Sequence, residues 1–236
     1  MKVLKGLIEL VFPAKCPFCK EIMTGQAGGI CASCRKKIEF IREPRCKKCG
    51  KPVFSKEKEF CYDCEQNSYY FEEGRNLWVH KPPVSDAIYE FKYQNRKYYG
   101  YIFGKEMGMR YLDYVKRCKI DLIVPIPLHK KRKRSRGYNQ AEILGREIAE
   151  ITGIPIVTDS LIRFKKTNPQ KILGHRDRRA NIKGAFVARK SFQGKDVLLI
   201  DDIYTTGNTL SEAARVLKAA GASKVYFLTI SIGQGF

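Results

Sequence analysis

VLLIDDIYTTGNTL, Val197 to Leu210, is the stretch on which the fold turns. Val197-Leu198-Leu199-Ile200 is a fully apolar strand, ended by Asp201-Asp202 and the loop Ile203-Tyr204-Thr205-Thr206-Gly207-Asn208-Thr209. A helix follows at once: Leu210, Ala213, Ala214 and Leu217 share one face of it, and Gly221 is placed to stop it. Sheets built from such βα units bind ligands at the carboxyl ends of their strands. Two adjacent carboxylates are costly to bury unpaired, whereas a small Gly- and Thr-rich turn at a helix N-terminus offers N–H groups and a positive dipole end to an anion. Together these features suit a sugar phosphate. Thr205, Thr206, Gly207, Asn208 and Thr209 would wrap a monophosphate, and Asp201 and Asp202 would accept hydrogen bonds from vicinal ribose hydroxyls or from water on a bound Mg²⁺. The plainer alternative is a loop tip whose Thr and Asn merely cap the helix.

Upstream, the same alternation of helix and strand continues. Ser85 caps a predicted helix reaching about Arg96, and a second runs from Tyr98 to Val115. Leu122-Ile123-Val124 reads as a buried strand ended by Pro125 and Pro127. Ala141, Leu144, Ile148 and Ile151 mark one apolar helix face, and Ile156 to Phe164 supplies another strand. A mostly parallel sheet flanked by helices is the expectation for residues 71–236. Neither the nucleotide-triphosphate glycine loop nor the dinucleotide fingerprint is present; Gly100 to Lys105 comes nearest, with only three residues between its glycines.

Residues 1–70 differ in kind. Eight of the nine cysteines fall in four Cys-x-x-Cys pairs, Cys16 with Cys19, Cys31 with Cys34, Cys46 with Cys49 and Cys61 with Cys64, each beginning 15 residues after the last. Two such knuckles complete a tetrahedral thiolate shell suited to Zn²⁺, so the pattern predicts two structural zinc sites in a segment too polar to build a core alone. A closed shell leaves no position for activated water. Sequential pairing of the knuckles makes each ribbon self-contained; interleaved pairing is the alternative. Cys118 stands apart as an ordinary half-buried thiol.

The 236 residues carry 45 basic and 24 acidic side chains, a formal charge of +21 that attracts nucleic acid, acidic lipid or phosphorylated ligands. The first 70 hold 14 of the bases and 8 of the acids, and there Lys20, Arg35, Lys47 and Lys48 are expected mainly to neutralise thiolates. The larger surplus lies beyond residue 70, and its densest part is His129 to Arg136, HKKRKRSR. That run could track a phosphate backbone, with Tyr138 beside it for stacking, or form a pyrophosphate loop with a solvated flank. Tyr89, Tyr93, Tyr98 and Tyr99 are expected to pack against the core or the ribbons rather than to stack on bases. Lys5 and Glu9 interrupt the apolar start of the chain and no run reaches the length of a membrane span, so a soluble cytoplasmic protein is expected.

Val197 to Leu210 resembles the phosphoribosyl pyrophosphate (PRPP) loop of type I phosphoribosyltransferases. The four cysteine knuckles, VPIPLHKKRKRSRGYNQAEILG at Val124 to Gly145 and TNPQKILGHRDRRANIKGAF at Thr167 to Phe186 are similar to the ComF family of competence proteins, nearly end to end. The resemblance implies a type I phosphoribosyltransferase-like, mostly parallel sheet behind a small N-terminal double zinc-ribbon domain. It also implies PRPP and Mg²⁺ as ligands and a part in natural transformation, handling incoming single-stranded DNA beside a competence helicase or other DNA-processing proteins. Matched position by position, Pro125 to Lys130, including Pro127, Leu128, His129 and Lys130, falls on the pyrophosphate loop. Arg132, Arg136, Gly137, Asn139 and Gln140 fall on the motif after it, and Gln170, Arg178 and Asn181 on a mobile hood. Tyr138 replaces a frequent Phe and Asn168 a frequent Pro. The resemblance brings no assigned acceptor and no catalytic residue. A phosphoribosyltransferase of nucleotide salvage with no role in DNA binding is the alternative.

Overall fold

A computed structural model describes residues 14–23, 29–165 and 182–233. In chain order the elements are α1 Ala32–Lys37, α2 Tyr62–Gln66, β1 Gly74–Val79, α3 Val84–Tyr93, α4 Tyr98–Arg110, α5 Leu112–Arg117 and β2 Leu122–Pro125. They continue with α6 Lys130–Arg136, α7 Gln140–Thr152, β3 Leu161–Arg163, β4 Phe186–Ala188, β5 Asp196–Tyr204, α8 Asn208–Ala219 and β6 Lys224–Ile232. One four-stranded sheet has the order β1-β6-β5-β2, parallel throughout, and β3 pairs with β4 antiparallel in a separate ribbon. Among the described residues, no helix is long and apolar enough to cross a membrane.

The sheet divides the core. On β5, Leu198 and Ile200 enter one cluster with the residues of α4 and α7, while Val197 and Leu199 enter the other beneath α8. Burial on both faces explains why the strand is apolar from Val197 to Ile200. Close approach of α4 to α7 uses Gly100, Gly104 and Gly108, where added Cβ atoms would lie 2.7 Å from Ile143, Glu147 and Ile151 respectively. The glycines that came nearest to a nucleotide loop are therefore a packing stripe.

The two cysteine units repeat one geometry and grip opposite faces of the sheet's β1 edge. Ligand sulfurs group as Cys16, Cys19, Cys31, Cys34 and as Cys46, Cys49, Cys61, Cys64, each set within 4.8 Å. The pairing is thus sequential. The contacts Cys19 to Cys31 and Cys49 to Cys61, both 3.6 Å, match sulfurs placed about 2.3 Å from a shared tetrahedral centre. After each first knuckle the chain turns through the left-handed region, at Lys20 (φ 68°) and Gly50 (φ 73°). Cys31 and Cys61 then start the short helices α1 and α2. The first unit joins the core of α4 and β1, and the second joins the opposite core with Phe71 and Tyr204. The linker between them closes the sheet edge: Ile41 N–H donates to Leu77 O and Val79 N–H to Glu39 O. Lys20 pairs with Glu90 at 2.6 Å and Arg35 with Glu106, so these cations tie the first ribbon to α3 and α4 through carboxylates.

Several elements depart from the sequence expectation for visible reasons. The helix predicted over Tyr98 to Val115 breaks at Tyr111, whose buried hydroxyl donates to Asn76 O at 2.5 Å. The run Ile156 to Phe164 splits: Ile156 bridges to Ile123 in the main sheet, and only Leu161–Arg163 becomes a strand, in the small one. β5 runs through Asp201 and Asp202 to Tyr204, because β6 pairs with it as far as Ile232. Tyr99 is buried and meets Lys20, whereas Tyr89 and Tyr93 are exposed. Cys118 is buried, more deeply than expected.

Trp78, the only tryptophan, is fully buried and packs edge-on against Phe18 and Phe40 of the first ribbon and its linker. Chelation of zinc from the intact protein should therefore red-shift Trp78 fluorescence as two metal equivalents leave per chain; an unchanged spectrum would show that the ribbon holds its place without metal.

Candidate functional site

At the carboxyl ends of β2 and β5 lies a cleft of about 480 Å³. Asp201 and Asp202 come from β5, Thr205, Gly207 and Thr209 from the turn into α8, Leu128 from the loop after β2, and Arg132 and Arg136 from α6. The floor at this point is set by register: Pro125, Ile200 and Leu228 lie side by side across β2, β5 and β6, and the chemistry begins one residue later.

The turn opens α8 without a side-chain cap. Gly207 occupies the N-cap position with φ 73° and, having no side chain, makes no side-chain capping hydrogen bond to the helix. A Cβ there would stand 2.4 Å from Tyr204 Oη, so both conformation and space demand glycine. The buried Thr206 hydroxyl lacks a hydrogen-bond partner among the described residues. An oxyanion seated at the turn would meet main-chain N–H groups and the positive end of the α8 dipole.

Opposite charges face each other across the cleft. Burial, and then the neighbouring Asp202, push the Asp201 carboxyl up to about 7. Asp202 pairs with Lys92 of α3 at 2.8 Å, each side chain 14% exposed. On the cationic wall, burial and then Arg132 bring Arg163 down to about 10, and burial and then Arg136 lower Arg132. Three guanidinium groups crowded in this way gain most from an added anion, and the carboxylate pair offers hard oxygens to a divalent cation. The donor set therefore fits both PRPP and Mg²⁺.

The motif after β2 has local work to do. Asn139 caps α7 by accepting from Ala141 N–H, and its amide donates to Ile126 O at 3.1 Å, fixing the loop. Gln140 accepts from Arg136 at 3.0 Å and so aims that guanidinium, which also lies over the Tyr93 ring. Gly137 ends α6 at φ 77°.

Comparison with known proteins matches residues 7–65 to the double zinc ribbon domain and residues 119–231 to the phosphoribosyl transferase domain. Competence protein F of Haemophilus influenzae is 29% identical over 91% of this chain and 95% of its own length. Competence protein ComFC of Bacillus subtilis is 28% identical over 81% of this chain and 79% of its own. The chain is thus similar to competence protein F and ComFC over most of its length. DNA utilization protein YhgH of Salmonella typhimurium is a further relative, 27% identical over 92% of this chain and 96% of its own. The mostly parallel sheet with flanking helices and the ribbon region ahead of it accord with the two domain matches.

The residues predicted from the sequence fall into three groups. Asp201, Asp202, Thr205, Gly207, Thr209, Leu128, Arg132 and Arg136 line the one cleft. Thr206 is buried behind it, Asn208 opens α8, and Pro127, His129 and Lys130 stand outside the lining, His129 capping α6 by accepting from Lys131 N–H. Gln170, Arg178 and Asn181 lie outside the described residues. Lys92, Tyr93, Arg163 and His80 also line the cleft, and no sequence motif points to them. Lys92 and Tyr93 sit at the end of the helix predicted from Ser85, which instead starts at Val84 with Pro83 at its N-cap, and Arg163 lies inside a run legible only as a strand.

The raised Asp201 carboxyl has a pH signature. Unfolded, it titrates near 4; folded, near 7. Its contribution to stability is present below about pH 4 and lost as pH rises to about 7, so Asp201→Asn should raise the melting temperature at pH 8. That gain should shrink at pH 5 in magnesium-free buffer. Equal gains at both values would show that Asp201 titrates as an ordinary carboxyl.

Proposed function

We propose that this chain binds PRPP with Mg²⁺ in the β5–α8 cleft and acts in natural transformation, handling incoming single-stranded DNA in the cytoplasm next to a competence helicase or other DNA-processing protein. The observation that carries the reading is the meeting of Asp201-Asp202 with the N-terminus of α8, where Gly207 stands at the N-cap, in a cleft walled by arginines. The names of the relatives, competence proteins and DNA utilization proteins, support the biological setting.

In this account the turn from Thr205 to Thr209 receives the 5′-phosphate through main-chain N–H groups, and Asp201 and Asp202 accept from the ribose hydroxyls. Arg132, Arg136 and Arg163 hold the pyrophosphate and stabilise charge on its oxygens. Asp201 and Asp202 would hold Mg²⁺ directly or through water, and the ion would supply positive charge toward the departing pyrophosphate. If an acceptor nitrogen attacks ribose C1, the C1–O bond to pyrophosphate breaks as the C–N bond forms. Release of pyrophosphate across a panel of bases and small acceptors tests turnover directly.

DNA handling rests on α6 and its neighbours. Lys130, Lys131, Lys133 and Arg134 are exposed along this helix, while the exposed rings of Tyr89 and Tyr93 lie tilted against each other, centroids 5.0 Å apart, beside Arg136. A cationic helix next to an aromatic pair fits a strand whose phosphates follow the charge and whose bases stack.

Saturating PRPP with Mg²⁺ should raise the melting temperature, by roughly 5 °C at about 100 times Kd, and Asp201→Asn with Asp202→Asn should abolish the shift. No shift for the wild type would remove PRPP from the account. Affinity for single-stranded oligonucleotides should fall steeply with salt, and replacing Lys130, Lys131, Lys133 and Arg134 by Ala should reduce the logarithmic slope by about 3. A flat salt dependence would exclude the electrostatic contact.

A further inference from the structure

The turn that opens α8 is held from below by the chain leaving the second ribbon. Tyr69 Oη donates to Thr206 O at 3.1 Å, and Tyr70 N–H donates to Ser211 Oγ at 3.2 Å. The Tyr69 ring stacks on Phe71 at 5.0 Å, Phe71 meets Tyr204 and Phe227 edge-on, and Tyr204 stacks on Phe227. Toward the metal, Asn76 Nδ2 donates to Cys49 O at 2.7 Å and Gly74 N–H donates to Lys48 O at 2.9 Å. Cys46, Cys49 and Cys61 share one buried cluster with Phe71, Tyr204 and Leu210. A continuous packed path therefore joins the second thiolate set to the turn.

The Tyr69 bond acts at a sensitive place. In a trans peptide the C=O and the following N–H point in opposite directions. Pinning Thr206 O to Tyr69 turns the Gly207 N–H away from Tyr69, on the side where Gly207 lines the cleft. We propose that Tyr69 is a positioning residue through which the second four-cysteine ribbon orients the Thr205 to Thr209 turn, so that metal in that ribbon and PRPP in the cleft reinforce each other's binding. This inference rests on the reading of the turn as the PRPP phosphate site. Reciprocity follows from linkage: whatever the ribbon adds to PRPP affinity, PRPP adds to metal retention. The first ribbon, which meets α3 and α4 through Lys20 and Arg35, lacks such a link to the turn among the described residues.

Calorimetric titration of the zinc-loaded full chain with PRPP and Mg²⁺ tests this, using wild type, Tyr69→Phe and Tyr114→Phe. The last removes a hydroxyl of similar kind, donating to Glu73 O at 3.0 Å, that has no part in the cleft. Tyr69→Phe should retain two zinc ions and bind PRPP about three- to tenfold more weakly, the scale of one neutral hydrogen bond, with Tyr114→Phe matching wild type. In a second measurement, PRPP with Mg²⁺ should slow transfer of one of the two zinc ions to a chromogenic chelator in wild type and leave Tyr69→Phe unprotected. Equal PRPP affinity in wild type and Tyr69→Phe, equal weakening by Tyr114→Phe, or zinc loss indifferent to PRPP overturns the coupling alone. Absence of PRPP binding by the wild type overturns the functional reading and this inference with it.

Discussion

Two carboxylates at the end of a strand buried on both faces are the constraint around which the site is arranged. Asp201 and Asp202 cannot leave the position, because β6 holds β5 in register past them, from Asp201 opposite Thr229 to Tyr204 opposite Ile232. Their proximity raises the cost of ionising both, and Lys92 answers it for Asp202 at 2.8 Å. The cationic wall of Arg132, Arg136 and Arg163 faces the same space. A site holding both signs, each crowded, suits the proposed ligand, which would bring anionic phosphates and a divalent cation together.

The ribbons contribute by closing and bracing rather than by chemistry. The β1 edge of a parallel sheet exposes main-chain groups that need partners, and the linker between the ribbons supplies them. With one thiolate unit on each side of that edge, the first supports α3, the helix carrying Lys92 and Tyr93, and the second lies beneath the turn into α8. A small sheet of four strands thereby gains mass on both faces at the edge that its own helices leave uncovered. Lys20 illustrates how the join is made: its left-handed backbone turns the knuckle while its ammonium reaches Glu90 and Tyr99.

Much of this is legible in the sequence, and the failures have physical causes. The apolar strand before Asp201, the helix after Gly207 and the four knuckles carry strong local signals, since each depends on residues adjacent in the chain. β1 carries no such signal, because Gly74–Val79 includes Arg75 and Asn76, whose burial is made acceptable only by partners such as Glu73, Cys49 O and Thr229. Lys92 and Arg163 escape for a related reason: each belongs to an element recognised by its apolar positions, and only the fold turns the charged one inward. Lys20 and Arg35 stand beside thiolates in the sequence, yet both find carboxylates 70 or more residues away, a choice no local pattern records.

In the proposed function the turn from Thr205 to Thr209 grips a phosphate through its main chain while Asp201 and Asp202 hold the sugar. A crystal structure of the full chain with PRPP and Mg²⁺ measures this most directly. Density for the 5′-phosphate is expected against the N–H groups at the start of α8, with the ribose hydroxyls on the two aspartates; an empty turn at saturating ligand, or PRPP bound elsewhere on the basic surface, would overturn the assignment.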